Sequence, residues 1–272
     1  MNYTSATVKY IMKNFVYVIL FAVIPAIFFA LSINETATRS VLENLLSGNP
    51  RDNFWTIFHT VSIFNFSSKK EALFGGVGII ALILCMAMLT AFLEKHMRIG
   101  KRTLNGLLSK VNDNLLSTGA LVLLFLFIYE VWALLLSALW YFVTGISNTA
   151  VAYVLLAIVY LVMHFVLIYA LSLFYLWMPC VQITGFTALD ALTYSYQLVA
   201  PIQTKLVAGQ CAVLLLSEAL ITVTVLMLPL GIVELIVASV LFTVMILVYS
   251  IRMLVVYFDR AQLERADLKR YY

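Results

Sequence analysis

Residues 150–178 read AVAYVLLAIVYLVMHFVLIYALSLFYLWM, and this run decides the fold. It is apolar throughout except for His164 near its middle, and it exceeds the roughly 20 residues that a helix rising 1.5 Å per residue needs to cross a hydrocarbon layer. That layer holds no water to satisfy the backbone, so a spanning segment must be a helix or part of a closed barrel. A continuous apolar run, rather than short alternating segments, selects the helix.

The rest of the chain repeats the pattern. Of its 272 residues 64% are hydrophobic and 11% charged, with a mean hydropathy of +1.02. Soluble domains carry roughly 25% charged residues because their surface must be wetted, so that class is excluded. The expected fold is all-α, a polytopic transmembrane helix bundle of about six spans with amphipathic juxtamembrane helices, in one membrane domain. The spans fall at about 15–33, 72–93, 115–142, 150–178, 206–228 and 232–258. An outer loop covers 34–71, inner loops cover 94–114 and 179–205, and a charged tail covers 259–272. Lys9, Lys13 and the small-residue run Ala30-Leu31-Ser32 imitate a secretory signal around the first span. Its apolar run outlasts the roughly 7–15 residues of a signal core, so a retained helix is expected.

Basic residues orient the bundle. With both termini in the cytoplasm, the inner side holds thirteen of the seventeen Lys and Arg residues, Arg252 among them. Arg39, Arg51, Lys69 and Lys70 remain in the first outer loop. Inner enrichment of this kind is the usual topology signal, and it places the chain in a cell membrane as a multi-pass protein. Lys95, Arg98, Lys101, Arg102 and Lys110 cluster in the first inner loop. They are candidates for binding anionic lipid headgroups or a partner membrane protein. Leu104, Leu107, Leu108 and Val111 recur at helical spacing there, predicting a surface helix. In the outer loop, Phe54, Ile57, Phe58, Val61 and Phe64 share one helical face. That segment is too short to span and is expected to lie in the interface or to cap the bundle ends. Gly75, Gly76 and Gly78 open the second span, where small residues permit close helix approach.

Ionisable residues at membrane depth are the first place to look for chemistry, since a charge there costs about 2.5–3.5 kcal/mol even on lenient scales. Glu130, His164 and Glu218 fall near the middle of their spans, and Tyr160 shares the His164 face. They suggest either a Glu–His–Glu proton or substrate pathway or inter-helix fasteners. No Lys or Arg lies at that depth to neutralise the carboxylates. Cys85, Cys180 and Cys211 are far apart and show no ligand spacing, so neither a metal site nor a disulfide framework is expected. No hydrolase, phosphate-loop or dinucleotide motif occurs, and the basic loop has no nucleic-acid fold around it. The expectation is a protein that is not an enzyme, needs no cofactor and binds no nucleic acid.

Met178-Pro179, Gly185 and the run Ala188-Leu189-Asp190-Ala191-Leu192-Thr193-Tyr194-Ser195-Tyr196-Gln197-Leu198 form a break followed by an amphipathic connector. With the closing Val256-Tyr257-Phe258-Asp259-Arg260, this resembles a bacterial family of six-helix integral membrane proteins. That family is related to the membrane domain of some glycerophosphodiester phosphodiesterases and includes stand-alone relatives. The resemblance implies the six-helix fold. It does not bring the hydrolase activity, because no soluble phosphodiesterase domain is present. The leading expectation is an accessory or scaffold protein of the bacterial cytoplasmic membrane that organises partners or lipids. The alternative is a small transporter or permease component using Glu130, His164 and Glu218.

Overall fold

The computed structural model describes residues 3–63, 68–102, 105–227 and 231–268. Among these the chain is helical with no strand: α1 (Tyr3–Ser32), α2 (Glu35–Leu46), α3 (Phe54–Val61), α4 (Lys69–Ile99), α5 (Leu107–Thr144), α6 (Thr149–Leu173), α7 (Trp177–Thr184), α8 (Ala188–Val199), α9 (Gln203–Met227) and α10 (Gly231–Arg260). Six helical stretches are long and apolar enough to cross a membrane. They are α1, α4, α5, α6 continued by α7, α9 preceded by α8, and α10. The chain is therefore an all-α bundle, consistent with a multi-pass integral membrane protein.

The start of α1 and the end of α10 lie on one face, the terminal face, where the Tyr3 hydroxyl donates to Asp259 Oδ2 at 2.7 Å. The α7–α8 connector joins this terminal face. Gln182 Nε2 donates to Ser117 Oγ at 2.9 Å, and Arg260 Nε donates to the Leu198 carbonyl at 3.2 Å. The core sits towards the same face, where α10 runs antiparallel to α1 and α1 packs between α10 and α4. From Ile251 to Phe258 every residue of α10 is buried, which an all-apolar helix surface requires. Arg252 is the exception in character.

Helix ends explain several boundaries. α4 continues six residues beyond the expected span, through His96 and Met97, and stops where Gly100 adopts φ +78°. Only a residue without Cβ takes that conformation freely. Leu107 and Val111 then belong to α5 itself rather than to a separate surface helix; Thr103 and Leu104 lie outside the described residues. The fourth span breaks at 174–176, ahead of Pro179. Pro179 sits in the first turn of α7, where its missing N–H has no intrahelical acceptor to lose. Thr187 caps α8 by accepting from the Asp190 N–H, and Ala191, Ser195, Leu198 and Val199 form its buried stripe.

The loop face, opposite the termini, is built differently from the sequence expectation. α2 is capped by Asn34, whose Oδ1 accepts from the Ala37 N–H at 2.9 Å. Between α2 and α3, burial pushes the Asp52 carboxyl above its ordinary range, while the Asn44 amide at 2.9 Å pulls it down. α3 neither lies flat in an interface nor caps the bundle ends. Arg51 Nε donates to the Thr144 carbonyl at one end of α3, and Tyr129 donates to the Val61 carbonyl at the other. The fifteen-residue offset along α5 corresponds to a descent of about 22 Å at 1.5 Å per residue. Ile57 is buried against Trp140 and Leu156, while Trp55 faces outward. Phe64 lies outside the described residues, as do Pro229 and Leu230 of the expected α9–α10 turn.

The glycines that open α4 divide by function. A Cβ on Gly78 would meet Phe29 Cδ1 at 3.2 Å and Phe28 Cβ at 3.3 Å, whereas one on Gly76 would meet nothing within 4 Å. Gly78→Leu is expected to push α1 from α4 and cost about 1–3 kcal/mol, the usual range for overpacking. Gly76→Leu should be close to neutral. Thermal unfolding of both variants in detergent checks this; equal melting temperatures would show that α1 does not rest on Gly78.

Candidate functional site at mid-depth

α6 and α9 bring His164, Tyr160 and Glu218 together. His164 is 1% exposed. Its Nδ1 lies 2.7 Å from the Tyr160 carbonyl, one helical turn back, and a carbonyl can only accept. Nδ1 therefore carries a proton. Nε2 lies 3.1 Å from Glu218 Oε1 and 2.9 Å from Oε2. Without a hydrogen there the two groups would meet as acceptors, so one proton occupies the contact. It makes the pair either imidazolium and carboxylate or imidazole and carboxylic acid, neutral overall in both forms. The Tyr160 hydroxyl donates to Glu218 Oε2 as well. Trp132 closes one side, its ring 4.9 Å from the imidazole and edge-on, with Nε1 donating to the Met163 carbonyl at 2.7 Å.

Glu130 is not a member of this triad's hydrogen-bonded set. Its Oε2 accepts from Ser62 Oγ at 2.7 Å and its Oε1 from the Ile63 N–H at 3.0 Å. It holds the chain where α3 ends inside the bundle. Ala133 and Ser137 on the same face of α5 are fully buried, so that face does point inward. Tyr129, beside Glu130, lies within electrostatic reach of both carboxylates. The structure thus draws His164, Tyr160 and Glu218 into one contact and places Glu130 in an adjacent one.

The basic cluster between Lys95 and Lys110 divides in the same way. Glu94 is buried in α4 and accepts Arg98 at 3.0 Å and Lys110. Lys95 donates to the Asn105 carbonyl, and Arg102 lies over the Tyr17 ring at 5.7 Å. Lys101 is exposed and has no ion pair among the described residues. Two of the five candidates therefore neutralise an internal carboxylate.

Sequence reasoning missed the partners of Glu130, because Ser62 and Ile63 are more than sixty positions away and no periodicity links them. It also counted Arg252 only as a topology signal. That residue is 4% exposed, with Nη2 donating to the Lys205 carbonyl at a long 3.4 Å. Its guanidinium occupies the space beside Gly209, where a Cβ would stand 2.6 Å from Nη2. Among the described residues, no three His, Cys, Asp or Glu side chains gather as a metal site. No family model, curated protein or solved structure matches the chain. The likeness to the six-helix family of phosphodiesterase membrane domains therefore rests on its sequence motifs alone.

Truncating Glu218 should leave His164 Nε2 buried without its partner, at a cost of about 1–3 kcal/mol, whereas truncating His164 leaves Glu218 the Tyr160 hydroxyl. A double-mutant cycle with His164→Ala and Glu218→Ala is expected to show coupling of that order; additivity would show that the two do not interact. Glu130→Ala should instead release the end of α3, read as faster amide exchange over residues 57–63 with little change around His164.

Proposed function

We propose that the chain is a non-enzymatic membrane accessory or scaffold protein that organises anionic lipids at its terminal face. The carrying observation is the distribution of unsatisfied charge. At mid-depth each candidate group is engaged by a neighbouring helix: Glu130 by the end of α3, Glu218 by Tyr160 and His164, and His164 by Glu218 and the Tyr160 carbonyl. Polar contacts of this kind fasten helices within an apolar medium. At the terminal face, Lys9, Lys13, Lys101 and Lys205 have no carboxylate partner among the described residues. Cations beside a bilayer surface attract anionic headgroups, each contributing about 1 kcal/mol. On this reading the terminal face is cytoplasmic, as the basic-residue bias of the sequence suggests.

A second reading keeps a specific observation in its favour. The His164–Glu218 pair holds one proton between a helix and a less enclosed neighbour, and Glu218 is 26% exposed. That is the kind of group a proton-coupled permease uses. The two readings part in proteoliposomes loaded with a pH-sensitive dye. Under an imposed pH gradient, the scaffold reading expects dissipation at the rate of protein-free vesicles, and enrichment of phosphatidylglycerol over phosphatidylcholine around the purified protein. A faster dissipation abolished by Glu218→Gln would replace it with the transport reading.

A further inference from the structure

At the terminal face, α1, the end of α4 and the segment after α10 border an open cavity of about 390 Å³. Lys9 and Lys13, one helical turn apart on α1, line it together with Asn14, Tyr10 and His96. Arg265 lines it too, but Asp267 neutralises it through two contacts at 3.1 and 2.7 Å, and the pair is buried. Arg102 adds positive potential at Tyr10 and His96. The uncompensated charge of the cavity is therefore positive, carried by Lys9 and Lys13.

Asn14 supplies the second, independent observation. It breaks the helical geometry of α1, with φ −122° and ψ 17°. Its Nδ2 donates to the Tyr10 carbonyl at 2.9 Å, which fixes the orientation of the amide. Oδ1 is then a buried acceptor without a hydrogen-bond partner, on a residue 1% exposed. An orphaned acceptor of this kind costs about 1–3 kcal/mol. A bare anion cannot relieve it, because an acceptor needs a donor. The cavity asks for a ligand that carries both a negative phosphate for the lysines and a hydroxyl for Asn14.

We propose that this cavity binds the headgroup of an anionic glycerophospholipid, with the phosphodiester between Lys9 and Lys13 and a headgroup hydroxyl donating to Asn14 Oδ1. The lipid source, rather than a soluble phosphate ester, follows from the surface beside it. Val8, Met12 and Val16 are 49%, 74% and 80% exposed on the same stretch of α1, an apolar strip on which acyl chains would lie. Lysines near a helix end reach the headgroup level in this way. The proposal rests on the reading that the terminal face organises anionic lipid, and names the ligand and the place.

The test uses the full chain in phosphatidylcholine nanodiscs containing a photo-crosslinkable phosphatidylglycerol. The adduct is expected on the peptide containing residues 9–14. Lys9→Gln with Lys13→Gln should reduce it by roughly tenfold or more, consistent with the loss of two surface cations. Lys69→Gln with Lys70→Gln, at the start of α4 on the loop face, should leave it unchanged. Asn14→Ala should narrow the preference for phosphatidylglycerol over crosslinkable phosphatidic acid; because that variant alters the kink in α1, the lysine pair stands as a separate arm. An adduct unaffected by the lysine pair, or an equal yield with both lipids in the wild-type protein, would overturn the cavity assignment. Complete competition by soluble glycerol phosphate would overturn the lipid source. If anionic lipid labels the terminal face outside residues 9–14, the cavity assignment fails and the proposed function stands. If no anionic lipid is preferred anywhere, both fail.

Discussion

A helix that stops inside an apolar layer leaves backbone groups that water cannot reach, and the way α3 meets this constraint shapes the middle of the molecule. Its last turn and the residues after it reach Tyr129 and Glu130 on α5. Tyr129 donates to the Val61 carbonyl, and Glu130 accepts from the Ile63 N–H and from Ser62 Oγ. Irregular backbone at membrane depth is tolerated only where protein or a watered cavity satisfies it. A carboxylate is suited to the task because it offers several lone pairs and no donor. The cost of taking Glu130 out of water is thereby offset by groups that would otherwise be orphaned. This accounts for a mid-span glutamate without invoking transport.

Span composition was legible because it is local: each long apolar run becomes a helix, and the expected spans lie within helices apart from Ile33, the break at 174–176 and residue 228, the last outside the described residues. Capping is local as well. Asn148 and Thr187 sit directly before α6 and α8, and their side chains accept from the first turns. The descent of α3 was not. Its length argued against a full span, and nothing in an aromatic eight-residue helix says whether it lies along a surface or enters beside another helix. Only long-range pairs, such as Arg51 with Thr144 and Ser62 with Glu130, decide it. The same holds for Gly76 and Gly78: two residues apart on a helix they face different neighbours, and α1 chooses between them.

The contrast between His164 and Glu130 shows how far depth alone can take the reading of a site. Both lie near mid-span, and depth correctly marks both as residues that need partners. It does not say which partners. His164 finds Glu218 because α6 and α9 run side by side, whereas Glu130 is turned towards α3 and its nearest link to the triad is Tyr129. Charge on the terminal face follows a different rule. Glu94 withdraws Arg98 and Lys110 from the surface, so a count of basic residues overstates what a headgroup would meet. Lys9 and Lys13, which the sequence offered as orientation signals and as part of a signal-like segment, have no carboxylate partner among the described residues.

α9 draws these points together. Lipid tails are as apolar as leucine, so apolar side chains give helices little reason to choose one neighbour over another in a membrane. On α9 the buried apolar side chains among the described residues are few: Leu206 and Val207 near the terminal face and Val225 near the other. Polar contacts tie it at its start and at its middle instead. Gln203 donates to Ser172 at 3.2 Å, Arg252 donates to the Lys205 carbonyl, and Glu218 meets His164 and Tyr160. Gly209 is what lets the Arg252 guanidinium lie against the helix. Two of these ties involve ionisable groups, so the seating of α9 depends on charge more than that of α1, α4 or α10, which rest on a continuous apolar core. The His164–Glu218 proton is best understood in that setting. It keeps the contact neutral in an apolar medium, and the register of α9 follows from it.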